Sequence, residues 1–258
     1  MALHLLQITD PHLLAASDGT VMDLPSRDSL RQVVQDAREH RADRVLVTGD
    51  LSHDGTAASY EALCEELAVL EAPCYSLPGN HDDPATMADA LGPPFAATSS
   101  FTTESWRILL LDSSVPDATH GHLSASVLDA LDDALAAHPE QPTLVALHHS
   151  PVPVGSDWLD PINLHDPDDL RRVLSSHPQV RLVLFGHVHQ EVEAAWEHAS
   201  LYGCPSTCFQ FAPKSDTFAL GTSPPGYRTL TLHADGTFET AVHRVPVPFR
   251  ADPTATGY

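Results

Sequence analysis

Five clusters of Asp, Asn and His each stand directly behind a short apolar run. They are Asp10-Pro11-His12 after Leu3–Thr9, Gly49-Asp50 after Arg44–Thr48, Gly79-Asn80-His81-Asp82 after Cys74–Leu77, His148-His149 after Thr143–Leu147, and Gly186-His187-Val188-His189 after Val180–Phe185. Runs this short and rich in Val, Leu and Ile read as buried strands, and Arg107–Leu111 reads as a sixth. Helical patterns lie between them. Ser26 is placed to cap a helix to about His40, Thr56 one through Glu71 and Ser124 one through His138. Asp166-Pro167 opens another through Ser176, with proline in a permitted first-turn position. Strand and helix in alternation predict an α/β fold with parallel pairings. In such sheets ligands gather beyond the carboxyl ends of the strands. Clusters separated by most of the chain can therefore form one site.

From Glu191 onward the pattern changes to short strands, with a hairpin at Ala234-Asp235-Gly236 between Thr229–His233 and Thr237–Val242. This predicts a second, more antiparallel sheet packed on the first. At 258 residues and 42% hydrophobic the chain can fill one large core, so residues 1–247 read as one domain and the Pro-rich 248–258 as an irregular tail. Loops over Asp83 to Pro94 and Pro151 to His165 are expected to supply substrate-side groups.

Thirteen basic residues against 35 acidic ones give a formal charge of -22, and Lys214 is the only lysine. Binding a nucleic acid polymer needs clustered Lys and Arg, so that class of partner is excluded, as is an anionic membrane surface. A small anionic substrate stays compatible, because bound cations invert the local field. Met1 to Ile8 is too short and uncharged for a signal peptide, and no apolar run approaches the ~18 residues of a membrane span. The expectation is a cytoplasmic protein. Cys64, Cys74, Cys204 and Cys208 are too few for a disulfide framework and read as buried thiols.

Asp, Asn and His together offer oxygen and imidazole ligands, suited to Fe, Mn or Zn rather than to an all-oxygen calcium cage. In Asp10-x-His12 and His187-x-His189, alternate residues of an extended segment would face the same way. Asp50 follows a glycine, which leaves its carboxylate room to bridge two ions. Two metals ~3.5–4 Å apart clamp a phosphate and acidify a shared water, which then attacks phosphorus in line as hydroxide. Taken singly, Asp-x-His and Gly-Asn-His-Asp are ordinary turn chemistry. Five such clusters in order, each behind a strand, favour a dinuclear site. Seventeen histidines are present, and those outside the five clusters receive no role.

The ordered set resembles the calcineurin-like metallophosphoesterase superfamily, with every ligand position of that pattern filled. A narrower similarity, to bacterial class III 3',5'-cyclic AMP phosphodiesterases, rests on Gln7-Ile8-Thr9-Asp10, Ser156-Asp157-Trp158-Leu159-Asp160, Pro205-Ser206-Thr207-Cys208 and Leu232-His233-Ala234-Asp235-Gly236-Thr237. The resemblance implies a four-layer α/β-β/α sandwich and two divalent ions, Fe or Mn first and Zn as the alternative. It implies that one ion takes Asp10, His12, Asp50 and His189, and the other Asp50, Asn80, His148 and His187. His81 would stabilise the phosphate and protonate the leaving oxygen. Substrate would meet His12, Asp50, Asn80, His81 and His189, with His149 either facing it or supporting a ligand. The implied reaction is hydrolysis of cyclic AMP to 5'-AMP. Another small ester, such as a glycerophosphodiester or a nucleoside monophosphate, is the competing substrate. Trp158 offers a ring to a nucleobase or to the core. Retention of every ligand argues against a pure binding module.

Overall fold

Side-chain alternation within the strands decides the layering. In Leu3–Ile8, Leu6 and Ile8 join Val45 and Val47 in a cluster with Leu30, Val33, Leu63 and Leu67 of flanking helices. On the opposite face Leu5 and Leu46 meet Ile108, Leu144, Leu182 and Leu184 of a second sheet. That second sheet turns Val145, Val183 and Phe185 outward onto Leu128, Leu131, Leu170 and Leu174 of two further helices. Three apolar layers thus separate helices, sheet, sheet and helices. This is the four-layer arrangement expected from the resemblance. The computed structural model describes residues 2–97, 100–252 and 254.

The first sheet has the order Phe238–Arg244, Gly226–Leu232, Leu3–Ile8, Arg44–Thr48, Cys74–Leu77, Phe95–Ala97. The second has the order Val192–Trp196, Ala199–Gly203, Val180–Phe185, Thr143–Ala146, Arg107–Leu110, Phe101–Thr102. The central strands pair in parallel in both sheets. Antiparallel pairings lie toward the edges, at Gly226–Leu232, Phe238–Arg244, Val192–Trp196 and Phe101–Thr102.

The division between the sheets corrects the expectation that the last third builds a sheet of its own. The second sheet begins near Phe101, and the C-terminal hairpin returns to pair antiparallel with Leu3–Ile8. Burial explains the return: Leu230 and Leu232 enter the layer between the sheets, whereas Thr229 and Thr231 are only part-buried. Gln7 ties the two sheets together, its Nε2 donating to Thr48 Oγ1 at 3.0 Å and to the Phe185 carbonyl at 3.1 Å.

Thr56 and Ser124 cap their helices as expected, accepting from Ser59 N at 3.3 Å and Val127 N at 3.4 Å. Ser26 does not: Pro25 occupies the cap, and Ser26 is already the first helical residue. Pro167 stands in the first turn of Pro167–Ser175. The stretch after Asp82 is not all loop, since Asp83 caps a helix over Pro84–Ala90 by accepting from Thr86 N at 2.7 Å. In the tail, residues 248–252 carry neither helix nor strand, although Phe249 and Ala251 pack on the core. The rest of the tail beyond Asp252, except Thr254, lies outside the described residues. All four cysteines are free thiols, three of them buried. No helix among the described residues is long and apolar enough to cross a membrane.

Candidate metal centre

All five clusters leave the carboxyl ends of parallel strands, three from the first sheet and two from the second. Main-chain bonds hold the loops in register beyond the strands. Asp10 N donates to the Gly49 carbonyl and His12 N to the Asp50 carbonyl, each at 3.0 Å, and Gly186 N donates to the His148 carbonyl at 3.0 Å. The two sheets meet at Asp10, whose carboxylate oxygens accept from His187 N at 3.2 and 3.1 Å.

Asp10, His12, His187 and His189 are not extended, contrary to the sequence reading. Their φ values are 51°, 47°, 65° and 49°, and Asp50 stands at 50°. Left-handed backbone costs a non-glycine residue about 1–2 kcal/mol, and such strain concentrates at functional sites. Gly79 is required for a different reason. A Cβ there would collide with Asp50 Oδ1 and lie 2.8 Å from Asp50 Cγ.

Asp10, His12, His148 and His189 have no exposed surface, Asp50 has 1% and His187 3%. His189 Nε2 lies 3.2 Å from both Asp10 Oδ1 and His12 Nε2. Asp50 Oδ2 stands between the two halves of the site, 3.7 Å from His12 Nε2 and 3.3 Å from His148 Nε2. The latter approach is close enough for charge attraction but lies outside hydrogen-bond geometry. Ring nitrogens and carboxylate oxygens fall into four groups that could each hold an ion: Asp10–His12–His189, Asp10–Asp50–His148, His148–His149–His187 and His12–His53–His81.

Hydrogen bonding fixes which nitrogen faces inward. His148 Nδ1 donates to the Thr48 carbonyl and His189 Nδ1 to the Phe209 carbonyl, both at 2.8 Å, so Nε2 is the nitrogen that each ring turns into the site. A metal-ligating histidine characteristically has its other nitrogen anchored in this way. Among the described residues, Asp50 Oδ2, Asn80 Oδ1, His148 Nε2 and both ring nitrogens of His187 are buried without a hydrogen-bond partner. Each such orphan costs ~1–3 kcal/mol, and divalent cations would satisfy all of these atoms but one nitrogen of His187. The residues fit the group.

Charge follows the same logic. Burial drives His12 well below its usual pKa and takes His187 down to about 3, so both are neutral imidazoles, the form a metal needs. Burial also opposes charge on His148, yet the carboxylates of Asp50 and Asp10 outweigh it and raise His148 to about 9. Burial works to raise Asp50, but the surrounding imidazoles, His148 foremost, hold its carboxylate ionised. A cation between them would replace that proton.

His81 is half-buried, and its backbone N donates to Asp50 Oδ1 at 2.9 Å. Its ring stands 4.9 Å from that of His12. His53, given no role from sequence, joins this group: its Nδ1 is 3.4 Å from His12 Nδ1 and its ring stacks on His81 at 4.8 Å. Its position three residues after Asp50 was the available signal. Asp82 was also missed. It ties two loops together by accepting from Leu51 N, Ser52 N and Gly79 N at 3.1, 2.9 and 2.9 Å. Trp158 packs edge-on against Phe211 and Phe218, which favours its core reading.

Comparison with known proteins agrees with this geometry. The chain is 42% identical over 259 residues to the 3',5'-cyclic-nucleotide phosphodiesterase alr5338 of Nostoc sp., covering 99% of this chain and 97% of that one. It is 41% identical to the 3',5'-cyclic adenosine monophosphate phosphodiesterase CpdA of Escherichia coli K12, covering 99% and 95%. A dimetal phosphatase from Danio rerio shares the fold, with a TM-score of 0.66 at 17% identity over 95% of this chain and 99% of that one. Residues 3–191, which contain all five clusters, match the calcineurin-like phosphoesterase family, and the chain belongs to that family.

Proposed function

We propose that this chain is a 3',5'-cyclic-nucleotide phosphodiesterase that opens cyclic AMP to 5'-AMP. The observation that carries the reading is the set of buried, orphaned ligand atoms on Asp50, Asn80, His148 and His187, gathered beside Asp10, His12 and His189. The names of relatives at 41–42% identity over nearly the whole chain support the substrate.

In this reading Asp10, His12, Asp50 and His189 hold one divalent ion, and Asp50, Asn80, His148 and His187 hold the other, with Asp50 shared. The mixed carboxylate, amide and imidazole set suits Fe or Mn, with Zn as the alternative. When bound, such ions clamp the phosphate and acidify a water. The chain's own residues do the rest. Thr48 and Phe209 carbonyls fix the tautomers of His148 and His189. His81, held to Asp50 by its backbone N–H, presents its ring to the phosphate, and its N–H stabilises the developing charge and protonates the departing ribose 3'-oxygen. Hydrolysis of a cyclic diester adds one water and needs no covalent nucleophile.

The test is incubation of purified, metal-loaded protein with cyclic AMP and, separately, with a glycerophosphodiester and a nucleoside monophosphate. Formation of 5'-AMP at the highest kcat/KM of the three is expected. Cleavage of the other esters with cyclic AMP left intact would defeat the substrate assignment.

A further inference from the structure

His149 has the hydrogen-bonding pattern of a group built into the metal centre, although the ligand assignment leaves it out. It is fully buried. Its Nδ1 lies 2.9 Å from Ser113 Oγ. Its Nε2 is buried with no hydrogen-bond partner. In the tautomer that donates from Nδ1 to Ser113 Oγ, that Nε2 is a bare lone pair, an acceptor.

The neighbouring His187 has the complementary deficit. His148 and His189 each anchor their outer nitrogen on a carbonyl, whereas His187 has two unpartnered ring nitrogens and an ion can take only one. The other carries a proton that needs an acceptor. The His149 ring is 4.7 Å from that of His187, against 5.1 Å for His148, whose nitrogens face Thr48 and Asp50. One ring nitrogen from each of His148, His149 and His187 lies within 4.8 Å of the others.

We propose that His149 is a positioning residue of the second ion's site, its Nε2 accepting the hydrogen bond of the His187 N–H that faces away from the ion. One ring nitrogen of each residue lies within 4.8 Å of the other, so the bond requires a turn of the His187 ring. The result is a relay from Ser113 through His149 to His187 that fixes the ligand's tautomer and aim. The inference rests on the two-ion reading above but not on the identity of the ester.

The experiment uses full-length, zinc-loaded protein labelled with 15N-histidine. Long-range 1H–15N spectra should show His149 protonated at Nδ1 and bare at Nε2, with a slowly exchanging outer N–H on His187. His149→Phe, which keeps a ring but removes the acceptor, should erase that resonance and weaken the second ion ~10–100-fold in a stepwise titration. The first ion's affinity should stay as in wild type. His149→Gln, whose amide oxygen can accept, should restore most of the loss. Wild-type affinity for both ions in His149→Phe would overturn the proposal, as would 113Cd–15N coupling to His149 Nε2 in protein loaded with 113Cd in place of zinc. If His149→Phe does not fold, the wild-type spectrum decides, because a proton on His149 Nε2 refutes the relay. A wild type that shows the relay but leaves cyclic AMP intact would sink only the substrate reading.

Discussion

Removing the carboxylate of Asp82 should loosen the centre without touching any of the proposed ligands. Its Oδ2 accepts from Gly79 N and Leu51 N, and its Oδ1 from Ser52 N. These bonds hold the loop that carries Asp50 against the loop that carries Asn80. Asp82→Ala strands three backbone donors at ~1–3 kcal/mol each if they stay dry. Water entering the space that the carboxylate vacates would satisfy some of them, so a net loss of ~2–4 kcal/mol is expected. Asp82→Asn can keep its amide oxygen at the Oδ2 position, but its NH2 then faces the Ser52 N–H. One bond is lost, for ~1–2 kcal/mol. Burial, reinforced by the charge of Asp50, lifts Asp82 to about 7, so removing its charge also relieves a repulsion. Bound cations screen that repulsion, and the comparison therefore belongs in metal-loaded protein. Thermal unfolding should rank wild type above Asp82→Asn above Asp82→Ala, at ~2–4 °C per kcal/mol for a chain of this size. Metal content after dialysis should fall in the same order. Asp82→Ala within ~0.5 kcal/mol of wild type and with full metal occupancy would refute the staple.

Three further outcomes follow from the same geometry. His81→Ala should lower kcat ~10²–10⁴-fold while metal content stays near wild type; unchanged turnover would remove His81 from the chemistry. Gly79→Ala drives a Cβ against the Asp50 carboxylate, so it should cost ~1–3 kcal/mol and release metal at lower chelator concentrations than wild type. Far from the centre, Glu66 is 9% exposed and accepts from Arg27 and Arg31 at 2.7–3.0 Å. Burial opposes its charge, but the two guanidiniums win and depress its pKa. The contribution is therefore complete above the unfolded value of ~4.3 and lost as pH falls through the folded one. Glu66→Gln should cost ~1–2 kcal/mol at pH 7, and urea titrations should show the gap closing below about pH 4.5.

The five clusters were legible as one assembly because each combines two independent signals, an apolar strand and an abrupt change to Asp, Asn or His at its end. Thr56 and Ser124 were legible as caps because capping depends on residues close in sequence. Ser26 failed because Pro25 could take the cap one residue earlier. Sheet membership was harder, since the pairing of Gly226–Leu232 with Leu3–Ile8 joins opposite ends of the chain and no local pattern encodes it. The left-handed φ values of Asp10, His12, Asp50, His187 and His189 were hidden for a related reason. They are imposed by contacts between loops, against the preference of the residues themselves. His53, Asp82 and Ser113 act through such contacts too, as did the Phe209 carbonyl, which belongs to the backbone and leaves no mark in residue type.

The central claim is that one folded site shares two cations across Asp50. Metal content of the purified chain, measured by elemental analysis after equilibrium dialysis against Mn(II) or Fe(II), tests it directly. The account predicts about two tightly held ions per chain in wild type and loss of tight binding at both positions in Asp50→Ala. A single ion in wild type, or two ions undisturbed in Asp50→Ala, would contradict it.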